Sequence, residues 1–351
     1  MGDLGVVAIG RNEGERLRCC LKSVVRYSLP VVYVDSRSTD NSVKLARSMG
    51  VEVVELDLSL PFTAARARNA GFERLLQLDP DIKFVQFVDG DCEVVQGWLD
   101  RARVELNTRP DTAIVYGRRH ERHRNETVYN RLADLEWDSP IGEVKACGGD
   151  AMVLTDAFHR VGGYNPSIIA AEDDELCLRI RREGWKVLRI DVDMTIHDMA
   201  MTRFGQWWKR AVRCGHAYAE GSARYGQAPE RHFVRQLRSA LFYGVSLPVL
   251  ALAFAWPTRG VSLLILLCAY LFLFWRTERY YRLYRQWTAS DARLYSAFCV
   301  MAKFPQVVGI AKYWSRYIRG KPAQLIEYRG TSTAAATTHL ELTPSNYDGI
   351  H

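Results

Sequence analysis

Short apolar runs alternate with helix-like segments along the first ninety residues. "LGVVAIG" (4–10) predicts a strand, "EGERLRCCLKSVVRYS" (13–28) a helix and "PVVYVDS" (30–36) a second strand. "TDNSVKLARSMG" reads as a capped helix that stops at Gly50, "VEVVEL" as a strand and "FTAARARNAGFERLLQLD" as a helix. "FVQFVDGD" (84–91) closes the series with another strand. This alternation predicts an α/β fold, a Rossmann-like and mostly parallel sheet covered on both faces. Such sheets bind ligands at the carboxyl ends of their strands, and Asp35 and Asp89 both fall there.

The pattern loosens over residues 111–150. "TAIVYGRR" predicts a strand, "RRHERHRNE" (118–126) a basic loop, and "ACGGDAMVLTDAFHRVGGYN" a strand leading into a short helix that ends at Gly162-Gly163. In "AAEDDELCLRIRREGWKVLRI" the apolar positions Leu176, Leu178 and Ile180 precede a helix stop at Gly184. Character changes after about residue 235. Two apolar stretches, about 239–256 and 260–275, are split by "PTRG" and are apolar on all faces, which soluble helices avoid. Their flanks, "RHFVRQLR" and "RTERYYRLYR", are both basic, so the positive-inside rule predicts a membrane hairpin with both ends cytosolic. A re-entrant or interfacial hairpin is the other reading. The stretch at about 292–314, interrupted by Lys303 and Pro305, predicts an interfacial helix. The organisation expected is a catalytic domain over 1–230, a membrane-associated helical region over 231–328 and a disordered tail over 329–351.

Composition narrows the partners. The chain has 351 residues and a formal net charge of +7, which suits phosphate groups or a membrane surface. The positive charge gathers around the apolar segments instead of interleaving with aromatics on one soluble face, so nucleic acid is not expected. Eight cysteines without a CxxC pair point to free thiols in a reducing compartment.

Candidate chemistry sits at the strand ends. Asp89 and Asp91 bracket a glycine, and two hard carboxylates there can hold Mg²⁺ or Mn²⁺. The same pair is also an ordinary turn. Asp35 precedes a helix cap and would face the crevice, while Thr39 and Asp40 read as capping residues. Arg66 and Arg68 stand at a helix start, where arginine can meet phosphate in bidentate fashion; Arg68 is the preferred inward residue. Glu172, Asp173 and Asp174 exceed what a helix N-terminus needs for its dipole, and a carboxylate beside a bound sugar can act as general base. His197 would lie at another strand end, where a further metal ligand is wanted; the plainer reading is a structural histidine.

Seven ordered pieces, "RNEGERLRCCLKSV", "VDSRSTDNS", "ARNAGF", "VDGDCEV", "GGDAMVLTDAFHRVGGYN", "EDDELCLRIRREGW" and "IHDM", resemble the inverting family-2 glycosyltransferases of GT-A fold over about residues 4–220. The resemblance implies Glu13 and Asp35 around the nucleotide base and Arg68 near the nucleotide. It implies Asp89 at the ribose or the metal, Asp91 as metal ligand and Asp173 as catalytic base. His197 matches a position that contacts metal or diphosphate, and Asp150 one that lines a sugar. The sequence departs at "IGRNE", where many relatives carry Pro and Tyr. It also lacks the Gln-x-x-Arg-Trp signature of processive synthases; "GQWWKR" offers Gln206, Trp207, Trp208 and Arg210 in another order, which favours single-sugar transfer. With Glu172, these four are candidate acceptor residues.

The resemblance implies inverting, metal-dependent transfer from a nucleotide-diphospho-sugar, UDP favoured and GDP possible, to a hydroxyl of a lipid-linked or envelope polysaccharide acceptor. The catalytic domain is expected at the cytoplasmic side of an inner or plasma membrane. Two alternatives use similar acids: a sugar nucleotidyltransferase, and a membrane-anchored nucleotide-sugar-binding partner without catalysis.

Overall fold

The computed structural model describes residues 2–57, 59 and 62–320. The first elements are β1 (Leu4–Gly10), α1 (Glu15–Val25), β2 (Val31–Asp35), α2 (Ser42–Ser48), β3 (Glu52–Glu55), α3 (Ala64–Leu78) and β4 (Phe84–Asp89). They are followed by β5 (Cys92–Val94), α4 (Trp98–Thr108), β6 (Thr112–Glu121), α5 (Val128–Trp137), β7 (Gly142–Val144), β8 (Ala151–Leu154), α6 (Thr155–Arg160), α7 (Glu172–Arg182) and β9 (Lys186–His197). One nine-stranded sheet runs β3-β2-β1-β4-β8-β6-β9-β5, with β7 paired to β9. Its β3-β2-β1-β4 half is parallel, as the alternation predicts, and the central β1 and β2 are almost wholly apolar and buried, whereas the edge strand β3 carries Glu52 and Glu55. The other half is mixed: β8 runs antiparallel between β4 and β6, and β5 and β7 run antiparallel to β9. Within it β6 and β9 pair in parallel, the chain between them running through α5, β7, β8, α6 and α7.

Two local expectations are corrected. The segment 118–126 is not wholly a loop, since β6 continues through Arg118, Arg119 and His120 to Glu121. Residues 128–137, unassigned in the sequence reading, form α5 behind a Thr127 cap whose hydroxyl accepts from Asn130 N.

Beyond β9 the chain is helical: α8 (Phe204–Tyr225), α9 (Val234–Leu241), α10 (Leu247–Ala253), α11 (Val261–Tyr284), α12 (Ala289–Met301) and α13 (Lys303–Ile318). A π turn at Phe242–Ser246 joins α9 to α10, just before Pro248 withholds the N–H that Gly244 O would accept. Three helices are long and apolar enough to cross a membrane: Val234–Ala253, Val261–Tyr284 and the joined Ala289–Ile318. They differ in cover. Only 6 % of the most apolar window of α11 is buried in the protein, against 28 % in Ala289–Ile318. The difference arises because α13 lies along α8. Its crossing is so close that a Cβ on Gly215 would come 2.0 Å from Gln306 O, and one on Gly309 2.0 Å from Val212 O. The α10–α11 hairpin is tied by Ser262 Oγ donating to Ala251 O (2.7 Å) and Tyr270 Oη to Tyr243 O (2.7 Å). The expected disordered tail, 329–351, lies outside the described residues.

Candidate active site

Four strand ends converge: Asp35 of β2, Asp89 of β4, Glu121 of β6 and His197 of β9. Arg68, buried on α3, reaches into this convergence and meets three carboxylates. Its Nη2 donates to Asp89 Oδ1 (2.9 Å), and its Nη1 to Glu172 Oε1 (3.0 Å) and Asp173 Oδ1 (3.2 Å). The guanidinium lies over the Tyr164 ring, 5.2 Å from its centroid. Gly149 makes room for it, since a Cβ there would fall 2.0 Å from Arg68 Nη2. Arg66, one helical step away, instead donates to Asp57 O (3.2 Å).

A second arginine closes the other side. Arg119 of β6 pairs with Asp150 Oδ2 at 2.7 Å and with Asp89 Oδ2 at 3.4 Å, and lies 5.3 Å from the Trp137 ring centroid. Burial raises the cost of ionising Asp89, but Arg68 and Arg119 outweigh it and hold the carboxyl below its ordinary range. Asp150 accepts Asp89 N (2.9 Å) and Thr195 Oγ1 (2.8 Å) in addition to Arg119. It is a buried anchor of the Asp89 turn.

Asp173 is in the opposite electrostatic state. Burial pushes its carboxyl up to about 7 against the pull of Arg68, and Glu172 and Asp89 add to the rise. Burial and Glu172 likewise push Asp174 up to about 7. Ala171, with φ +59°, turns the chain into α7 just before these acids.

The Asp91 side is built differently. Asp91 Oδ2 faces His197 Nε2 at 3.2 Å. One donor atom each from Asp91, Cys92 and His197 lies within 4.8 Å of the others. Burial pushes the Cys92 thiol far up, so it is neutral, and its Sγ donates to Asp91 Oδ1 (3.7 Å). A carboxylate oxygen and an imidazole nitrogen are donors that Mg²⁺ or Mn²⁺ accepts, whereas a neutral thiol is not. Asp91 and His197 therefore fit a divalent cation. Asp89, the other candidate ligand, turns its oxygens to Arg68 and Arg119. A cavity of about 220 Å³ lined by Glu15, Arg16, Asp91 and Arg122 opens onto Asp91. A larger one, about 610 Å³, lies at the far ends of β4 and β6 beside Lys83 and Thr112, remote from these residues.

At the β1–β2 end, Asp35 accepts from Tyr33 Oη (2.9 Å) and Ser38 N (2.7 Å), and Glu13 pairs with Arg16 (2.9 Å). Glu13 lies beside Gly10 and Gly90, and Asp35 is the register partner of Gly10.

The "GQWWKR" residues are not brought to the site. Gln206 Oε1 accepts from Thr202 N and Arg203 N (both 2.9 Å) and caps α8. Trp207 is buried, edge-on to Phe298 of α12 at 4.9 Å, in a small core between α5, α8 and α12. Trp208 leans on Phe204, and Arg210 pairs with Glu136 (2.5 Å). Of these four, Trp207 packs on a C-terminal helix, while Gln206 and Arg210 are engaged in α8's own cap and with α5. The sequence reading missed Arg119, Glu121, Trp137 and Tyr164. Arg119 and Glu121 lie two apart on a strand, so period-two alternation through "GRRHE" could have found them.

The family model Glycosyl transferase family 2 matches residues 6–205. No curated protein matches the sequence. Among solved structures, the mannosyltransferase PcManGT from Pyrobaculum calidifontis, in complex with GDP-Man and Mn²⁺, superposes with a TM-score of 0.56 at 19% identity. The alignment covers 89% of this chain and 87% of that one, and shows a shared GT-A fold. S. aureus TarS aligns at a TM-score of 0.45 and 14% identity, over 66% of this chain and 46% of its own, too distant to carry weight.

Proposed function

We infer the function from one premise: this chain belongs to glycosyl transferase family 2, and it is a glycosyltransferase that uses a nucleotide-sugar. That premise sets aside the nucleotidyltransferase and the non-catalytic binder. The finer reading is inverting, metal-dependent transfer to a hydroxyl of a lipid-linked or envelope polysaccharide acceptor. Its main support is Asp173: a carboxyl pushed up to about 7, tied through Arg68 to Asp89, on the rim of the strand-end crevice. A base with that pKa is half-ionised near neutral pH and suited to accept a proton there.

In this reading Asp173 takes the proton of the acceptor hydroxyl as that oxygen bonds to the anomeric carbon. The carbon–oxygen bond to the diphosphate breaks on the opposite face, its electron pair leaves with the nucleoside diphosphate, and one displacement inverts the centre. Asp91 and His197 would hold the divalent cation, whose chemistry is to neutralise charge on the departing diphosphate. Arg68 keeps Asp173 and Asp89 in register, and Glu13 and Asp35 border the place of the base. UDP and GDP both suit this crevice, and the GDP-Man bound by PcManGT supports giving GDP equal place with UDP. The three apolar helices and their basic flanks support a plasma-membrane protein whose catalytic domain faces the cytosol.

The test uses detergent-purified protein with Mn²⁺ or Mg²⁺ and a panel of UDP- and GDP-sugars, with and without membrane lipid extract. Expected is metal-dependent nucleotide release from one donor that lipid extract accelerates in wild type and not in Asp173→Asn. Turnover unaffected by EDTA would overturn the metal role, and an Asp173→Asn enzyme at wild-type rate would overturn the base.

A further inference from the structure

The last residue of β9 has neighbours fixed by the sheet. Register places Cys92 of β5 on one side of His197 and Glu121 of β6 on the other. The two ring nitrogens accordingly meet two carboxylates: Nε2 lies 3.2 Å from Asp91 Oδ2, and Nδ1 3.4 Å from Glu121 Oε2. Trp137 covers the ring edge-on, with centroids 4.7 Å apart.

Glu121 is a costly residue to place here. Its side chain has no exposed surface, and among the described residues its ion-pair partner is His197. It is held firmly all the same. Oε2 also accepts Met199 N (3.1 Å), and Oε1 accepts His123 N (3.2 Å). Its own N–H donates to Asp134 Oδ1 (3.0 Å), while Arg118 and Arg124 fix Asp134 Oδ2 at 3.0 and 2.9 Å. Arg124 continues to Asp291 of α12 (2.9 Å).

We propose that Glu121 is the positioning residue of His197, fixing its proton on Nδ1 so that Nε2 presents a lone pair toward Asp91 and a divalent cation. The proposal rests on the metal reading above and extends it to a carboxylate outside the ligand set. A carboxylate behind a ligating histidine sets its tautomer and ring orientation and raises its basicity. Nothing reacts at Glu121; its effect passes through His197.

Mn²⁺ affinity tests it, measured by EPR of the aquo-ion on the full chain in detergent with GDP or UDP present. Glu121→Gln keeps an oxygen for Met199 N but removes the charge. Expected is a loss of Mn²⁺ affinity of about 10–100-fold, with metal-free nucleotide affinity unchanged, and partial recovery in Glu121→Asp. Equal Mn²⁺ affinity in wild type and Glu121→Gln overturns the proposal. Wild type without Mn²⁺ affinity overturns the metal reading and this proposal together, while turnover in EDTA would still report the Asp173 chemistry. If Glu121→Gln does not fold, ¹⁵N-histidine NMR of wild type loaded with Mg²⁺ and nucleotide decides. A His197 with Nδ1–H and bare Nε2 supports the assignment, and one with Nε2–H overturns it.

Discussion

Asp89 and Asp91 stand one glycine apart, yet the fold gives them opposite surroundings. Asp89 lies between two guanidinium groups, Arg68 on one oxygen and Arg119 on the other. Asp91 faces an imidazole and a neutral thiol. An arginine-bound carboxylate is a permanent ion whose task is to hold its partners in place. A carboxylate facing histidine keeps donors available that a divalent cation can take. In the proposed reading the Asp89 flank organises the base, and the Asp91 flank offers the metal site. The motif reads as a symmetric pair in sequence and is not one in space.

The largest effect should separate the flanks. Asp173→Asn is expected to lower turnover by about 10²–10⁴-fold, the range for loss of a general base, while leaving Mn²⁺ affinity as in wild type. Asp91→Ala is expected to do the reverse first, abolishing Mn²⁺ binding. Joint measurement of initial rates and Mn²⁺ EPR checks both. A Mn²⁺ affinity that falls in Asp173→Asn would merge the two flanks into one unit.

Stability should respond next, and on the Asp89 flank. Arg68→Met leaves Asp89, Glu172 and Asp173 facing one another without their shared cation. Removing one member of a buried ion cluster costs about 3–5 kcal/mol, so a clear fall in urea midpoint is expected. An unchanged midpoint would show that the three acids do not depend on Arg68.

The pH profile tests the same flank more gently. The proposed base, Asp173, would work as a carboxylate, and burial has raised its pKa to about 7. The ionised fraction therefore grows as pH rises through 7, so turnover should climb about tenfold per unit below that point and level off above it. A profile flat from pH 5 to 8 would mean an ordinary carboxyl and a different base.

Legibility in the sequence follows the range of the contacts involved. Asp35 and Asp89 were readable because β1, β2 and β4 are separate apolar runs with the acid at the end. Arg68 stood out from Arg66 because only one can face the sheet. Arg119 and Glu121 were hidden in "RRHERHRNE", where charge density reads as a solvated loop. The Arg118–Glu121 end of their strand pairs only with Asp193–His197, a register set about seventy residues away. Trp137 was missed with the helix that carries it. In the other direction, "GQWWKR" reads as acceptor residues because it offers the Gln, Arg and Trp of the processive signature in another order. Trp207 is packed instead against Phe298 of α12.

Gln206 makes that acceptor assignment measurable, with the smallest effect of all. Its Oε1 accepts two backbone N–H groups at the start of α8, and loss of such a cap costs about 0.5–2 kcal/mol. Gln206→Ala should therefore lower the melting temperature by a few degrees and leave the acceptor KM unchanged, because the side chain points into its own backbone and not toward Asp173. Differential scanning fluorimetry beside steady-state kinetics separates the outcomes. A KM raised tenfold at constant melting temperature would return Gln206 to the acceptor site. In that case α8 would have to turn its first turn toward the crevice when substrate binds, carrying Trp207 out of its contact with Phe298.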